Sequence, residues 1–150
     1  MGLDAVVATT TSRAGVLDPP TLDSAYWVGE YGAPSRTADN TAYLVGHSAS
    51  RGAAVFDPLF DQAAQVPRVS AGDEVVVTTA EGRLRYRVQA TARYPKGELA
   101  RTDDVWAKVP GRLVLITCFQ RDDGRPSTDN LVVTALLEGP AGAASPGGRA

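Results

Sequence analysis

Hydrophobic positions along this chain come in short blocks of strand length, separated by glycine, proline and charged residues. Leu84, Tyr86 and Val88 alternate with Arg85, Arg87 and Gln89, a period of two that buries one face and wets the other. Just before them lie Asp73-Glu74-Val75-Val76-Val77-Thr78-Thr79 and then Glu81-Gly82, so the two runs predict a β-hairpin around a glycine turn. Leu113-Val114-Leu115-Ile116-Thr117-Cys118 predicts a buried strand, and Thr41-Ala42-Tyr43-Leu44-Val45-Gly46-His47 a second. Asn130 to Leu137 predicts a last strand, entered from the turn-rich loop Asp122-Asp123-Gly124-Arg125-Pro126-Ser127-Thr128.

Helical signals are few. Phe56 to Ala64 predicts about two turns with Phe56, Leu59 and Phe60 inward and Pro58 near the first turn. Asp103-Asp104-Val105-Trp106-Ala107-Lys108 carries acids first and a lysine last, the charge order of a single helical turn. Many strands with one or two small helices predict an antiparallel β-barrel or a tightly curled sheet. Residues 1–138 are expected to form one domain, with Leu3-Asp4-Ala5-Val6-Val7 reading as a strand already under way. Residues 139–150, rich in Gly, Pro and Ala, have the composition of a flexible tail.

Composition narrows the function more than the fold. The 150 residues are 43% hydrophobic and 21% charged, ordinary for a globular domain. A net charge of -2 with no lysine-arginine block gives no electrostatic case for nucleic acid. No apolar stretch approaches the ~20 residues of a membrane-spanning helix. One cysteine excludes an intrachain disulfide, and one cysteine with one histidine excludes an ordinary Cys/His zinc site. Glu98, Asp103 and Asp104 share one loop, but such carboxylates are usually solvated, and no metal or other cofactor is expected.

The lone thiol and the lone imidazole each stand where an apolar strand opens into a loop, as a thiolate-imidazole site requires. A thiol of pKa ~8.5 is only a few per cent ionised at neutral pH, so Cys118 needs a partner that takes its proton. His47 is the only imidazole available. Against this stands the plain alternative that Cys118 is a small buried hydrophobe and His47 a turn residue.

Several short motifs tip the balance. Leu115-Ile116-Thr117-Cys118 has the form Leu-x-Thr-Cys at a strand end. Gly46-His47 follows an apolar strand, with Phe56 and Leu59 beyond it, and Gly72-Asp73 opens the hairpin; the histidine precedes the cysteine. From Leu3 to Leu137 this pattern resembles the sortases, cysteine transpeptidases that attach proteins to Gram-positive cell walls or to pili. Asp18-Pro19-Pro20 followed by Ala25-Tyr26-Trp27, and the ending Asp129-Asn130-Leu131-Val132-Val133, are most similar to class F-type enzymes of actinobacteria.

The resemblance implies a mainly β fold, a closed eight-stranded barrel with one or two short helices. It implies that Cys118 attacks the Thr-Gly carbonyl of a Leu-Pro-x-Thr-Gly-like sorting signal and that His47 protonates the leaving amine. An amino nucleophile from a cell-wall precursor or a pilin would then release the thioacyl-enzyme. It also implies a monomer at the extracellular face of the membrane, with any anchor outside this sequence. The segment Tyr94 to Pro110 would wall the peptide groove through Val105, Trp106 and Val109. Sortases place an arginine at or just before the start of the last strand, where this chain has Ser127-Thr128-Asp129-Asn130. Arg121 and Arg125 are the nearest replacements, with Thr117 and backbone N–H groups as further oxyanion donors. The missing arginine keeps open a second reading, a sortase-like barrel that binds peptide without turnover.

Overall fold

The computed structural model describes residues 6–11 and 17–139. Nine strands form, seven of them in one curled sheet. They are β1 (Val6–Thr10), β2 (Ser24–Val28), β3 (Ala42–Val45), β4 (Phe60–Asp61), β5 (Val66–Pro67), β6 (Glu74–Thr79), β7 (Gly82–Pro95), β8 (Arg112–Phe119) and β9 (Asp129–Leu137). The sheet order is β1-β2-β3-β8-β9-β7-β6, and β4 with β5 make a separate ribbon. Two one-turn helices, α1 (Lys96–Leu99) and α2 (Asp103–Trp106), fill the connection from β7 to β8.

The sheet is mixed where the pattern predicted an antiparallel one. β1 runs parallel to β2, and β3 runs parallel to β8. The second pairing needs a long crossover, which residues 46–111 supply. Strand β3 is buried at all four positions, as is most of β8. Both strands lie mid-sheet with side chains packed on each face, so neither shows alternation. One face holds Leu44, Leu84, Tyr86, Val88, Leu115 and Leu131 in the barrel interior. The other holds Tyr43, Val45, Val114, Ile116 and Val132 beneath α1 and α2, which contribute Leu99 and Val105.

The curl is open rather than closed among the described residues. The edge strands β1 and β6 share no ladder and flank a cavity of about 490 Å³ lined by Val7, Trp27, Leu44, Val75, Val77 and Leu115. Curvature comes partly from β7, whose register against β9 shifts between Val88 and Ala90. Such a bulge bends the strand and moves later side chains to the opposite face. Before it Val88 pairs with inward Ala135; after it Thr91 pairs with inward Val133, so Tyr94 turns outward.

The predicted helix over Phe56–Ala64 is not there. A single 3-10 turn, Asp57–Leu59, leads directly into β4. The Asp57 carboxylate accepts from the backbone N–H groups of Ala49 and Ala54, both at 2.8 Å, which fixes the chain in this single turn. The apolar assignments survive the change, since Phe56, Leu59 and Phe60 are all buried. The hairpin and the single turn at Asp103 form as predicted. Residues 140–150 of the expected tail, and residues 1–5 before β1, lie outside the described residues.

Candidate active site

The parallel pairing of β3 with β8 sets the site. Val45 pairs with Ile116, and Gly46 N–H continues the ladder by donating to the Ile116 carbonyl at 3.2 Å. Two steps past Val45 comes His47, and two steps past Ile116 comes Cys118. Extending that register gives His47 and Cys118 one face, with their backbones about one strand spacing apart, ~4.8 Å. Both are half-buried, and the thiol is free.

Four hydrogen bonds order this strand end, one of them to the imidazole. Ser48 Oγ–H donates to the Cys118 carbonyl, and Gln120 Nε2 donates to both the Ser48 carbonyl and its Oγ at 3.0 Å. These bonds tie the end of β3 to the end of β8. His47 Nε2 lies 2.7 Å from the Pro19 carbonyl. A carbonyl only accepts, so Nε2 carries the proton and Nδ1 is the basic nitrogen of the neutral ring. Asp18 Oδ1 stands 3.7 Å from Nε2 but is largely exposed, so its pull is screened by solvent.

Gly46 is required by packing. A Cβ there would lie 2.8 Å from two ring carbons of Phe56 and 2.8 Å from Val55 Cγ1. Those groups are core, so they yield only at a cost. Gly46→Ala is expected to lose about 1–3 kcal/mol of stability. The shift in urea midpoint at unchanged slope measures it; an unchanged midpoint would contradict this packing account.

On the other side of β8, Cys118 pairs with Asn130 of β9, which pairs in turn with Tyr94 of β7. One row therefore crosses four strands: His47, Cys118, Asn130, Tyr94. The β7 bulge puts Tyr94 in it. Nothing in the spacing of these residues announced Ser48, Gln120, Asn130 or Tyr94, because each reaches the row only through strand pairing.

The remaining predicted residues fall elsewhere. Thr117 follows the inward set Leu113 and Leu115, so its side chain is on the opposite face from Cys118; it is buried and its Oγ1 has no hydrogen-bond partner. Arg121 is held by Asp123, its Nε donating to Oδ1 at 3.0 Å and its Nη2 to Oδ2. That guanidinium keeps the Asp123 carboxyl below the usual carboxylate range. Arg125 also leans on Asp123, its Nε 3.9 Å from Oδ2. Arg121 is thus engaged within its own loop, and the Arg125 side chain in the same loop is largely exposed.

Val105 and Trp106 do share the outer face with Cys118. They sit toward the start of β8, where the Val105 carbonyl accepts from Tyr43 Oη at 2.6 Å and from Arg112 Nη2 at 2.9 Å. Trp106 packs on the Tyr43 ring at 5.0 Å and donates to the Leu99 carbonyl. Val109 belongs to the turn that enters β8, its carbonyl accepting from Arg112 N–H. Six residues of extended chain, roughly 20 Å, separate that turn from Cys118. Among the described residues no three acidic, His or Cys side chains are placed to hold a metal ion, and no helix is long and apolar enough to cross a membrane.

A family model described as the sortase domain matches residues 1–138. Among solved structures, sortase A of Listeria monocytogenes is 22% identical, covers 89% of this chain and 77% of its own, and superposes with a TM-score of 0.62. Sortase C-1 from Actinomyces oris is 23% identical over 79% of this chain and 60% of its own, with a TM-score of 0.59. Sortase A from Corynebacterium diphtheriae is 21% identical over 87% of this chain and 54% of its own, with a TM-score of 0.60. No curated protein matches the chain. At these identities the structural likeness is one of fold.

Proposed function

The chain belongs to the sortase family, and from that premise we propose that it is a cysteine transpeptidase working through Cys118 and His47. The observation that carries the reading is the continued β3–β8 ladder, which sets the one imidazole beside the one thiol. His47 takes the thiol proton, and the sulfur attacks the Thr-Gly carbonyl of a Leu-Pro-x-Thr-Gly-like signal. Collapse of the tetrahedral adduct breaks the C–N bond, and the departing glycine amine takes the proton back from His47. An amine of a cell-wall precursor or a pilin then attacks the thioester, gives its proton to His47, and returns the thiol.

On the outer face Tyr94 and Trp106 are the partly exposed apolar side chains available to the peptide, and Leu99 and Val105 are buried in the same cluster. An extended peptide of five residues spans about 17 Å, close to the run from α2 to Cys118. The Asp18-Pro19-Pro20 and Asp129-Asn130 segments favour a class F-type enzyme at the extracellular face of an actinobacterial membrane. The engagement of Arg121 by Asp123 is the one observation in favour of the second reading, a barrel that binds peptide without turnover.

Intact-mass spectrometry of the protein with a small library of sorting peptides separates the two. The expected result is a covalent adduct at Cys118 equal in mass to the acyl fragment, discharged when a glycine-based amine is added. Peptide binding without any adduct would establish the non-catalytic barrel.

A further inference from the structure

We propose that the Asn130 side-chain amide, rather than a guanidinium, is the oxyanion donor of this site, an inference that rests on the transpeptidase reading above. The oxyanion forms on a carbon bonded to Cys118 Sγ, so its donor must stand on the Cys118 face and within reach of that atom. Asn130 pairs directly with Cys118 across the antiparallel ladder. Side chains so paired share a face, with Cβ atoms ~4.5–5.5 Å apart.

The amide is also uncommitted. Asn130 is half-buried, and its side chain has no hydrogen bond among the described residues. Its neighbour Asp129 is taken by Arg93 Nη2 at 2.9 Å. Two amide N–H donors without a partner, in a partly desolvated row beside the thiol, are what a developing alkoxide needs.

The competing donors are each elsewhere. Arg121 is held by Asp123 through two hydrogen bonds, and the Arg125 guanidinium is largely exposed in the same loop, its Nε 3.9 Å from that carboxylate. Arg93 pairs with inward Leu131 and lies over the Phe119 ring at 3.9 Å, on the opposite face of the sheet. Thr117 Oγ1 faces the barrel interior. Lys96, exposed, is bonded through its backbone to Thr128, two positions beyond the row.

The step balances without any proton leaving the amide. The thiolate pair forms the S–C bond and the carbonyl π pair moves to oxygen, where Asn130 Nδ2–H donates a hydrogen bond. On collapse that pair restores the carbonyl, and the C–N pair leaves with the amine, which is protonated by His47. A neutral amide differs from an arginine in one measurable way. It stabilises charge that appears on the oxygen but adds no positive field to the thiolate beforehand. Its removal therefore slows acylation without changing the reactivity of the sulfur in a reaction that forms no oxyanion.

The test uses the full chain with Asn130→Leu, which keeps the bulk and removes the donors, and Asn130→Ala. Transfer kinetics with a sorting peptide and alkylation of Cys118 by iodoacetamide are measured side by side. Both variants should lose about 10²–10³-fold in kcat with KM within about threefold. Their alkylation rates should stay within about twofold of wild type. A kcat within tenfold of wild type in either variant overturns the inference, as does alkylation falling in parallel with transfer, which would make Asn130 a support for the thiol. Arg121→Ala and Arg125→Ala should each stay within tenfold of wild type; a hundredfold loss in either returns the role to a guanidinium. If the wild-type protein itself forms no acyl-enzyme, the transpeptidase reading fails and this inference with it. Active wild type with indifferent Asn130 variants sinks the inference alone.

Discussion

Cys118→Ala is expected to abolish both peptide cleavage and transfer while the fold stays intact. The chain has no second thiol to take over, so the loss reaches the scale seen when a nucleophile is removed from an enzyme, on the order of 10⁵-fold or more. Cys118 is half-buried at the end of β8, and its backbone carbonyl, not its sulfur, receives the Ser48 bond. Alanine keeps that carbonyl, so stability should change by no more than about 1 kcal/mol. Peptide turnover by chromatography and a thermal melt on the same sample check both halves. Transfer near the wild-type rate in a well-folded variant would end the cysteine mechanism.

The second large effect is expected at His47. His47→Gln preserves a side-chain N–H able to reach the Pro19 carbonyl, so the Asp18-Pro19 segment and the loop after β3 keep their contacts. What disappears is the group proposed to take the thiol proton and return it to the leaving amine. General acid-base catalysis contributes typically 10²–10⁴-fold, and kcat should fall by that amount. Alkylation of Cys118 at neutral pH should slow as well, because the thiolate is the nucleophile and no imidazole is left to take the thiol proton. The two readouts together distinguish His47 from Asn130, whose removal leaves alkylation alone. A His47→Gln variant with kcat within tenfold of wild type would make the imidazole a bystander.

Local pattern carried much of the fold. The hairpin of β6 and β7 was legible because Leu84, Tyr86 and Val88 obey a period of two, and all three are buried. The central strands β3 and β8 were legible as apolar runs, and their lack of alternation is explained by burial on both faces. The helix at Phe56 was misread because apolar spacing alone does not reveal that Asp57 binds the backbone of Ala49 and Ala54. Barrel closure was also beyond the pattern, since whether β1 meets β6 depends on the curl of the whole sheet and not on either strand.

The site divides in the same way. Sequence alone determined that a thiol and an imidazole, one of each, end two apolar strands, because residue identity and strand termini are local properties. It also determined that no arginine stands at the entry to β9. Only the tertiary structure decided what lies beside what. Parallel pairing of β3 with β8 brings His47 next to Cys118, and antiparallel pairing brings Asn130 to its other side. The bulge after Val88 turns Tyr94 to the same face, against the parity its spacing from Leu84 would give. Asp123 decided the fate of Arg121, because a guanidinium in a short loop goes to the carboxylate that loop places within its reach. Register and face are properties of pairs of strands, and a single strand's sequence does not contain its partner.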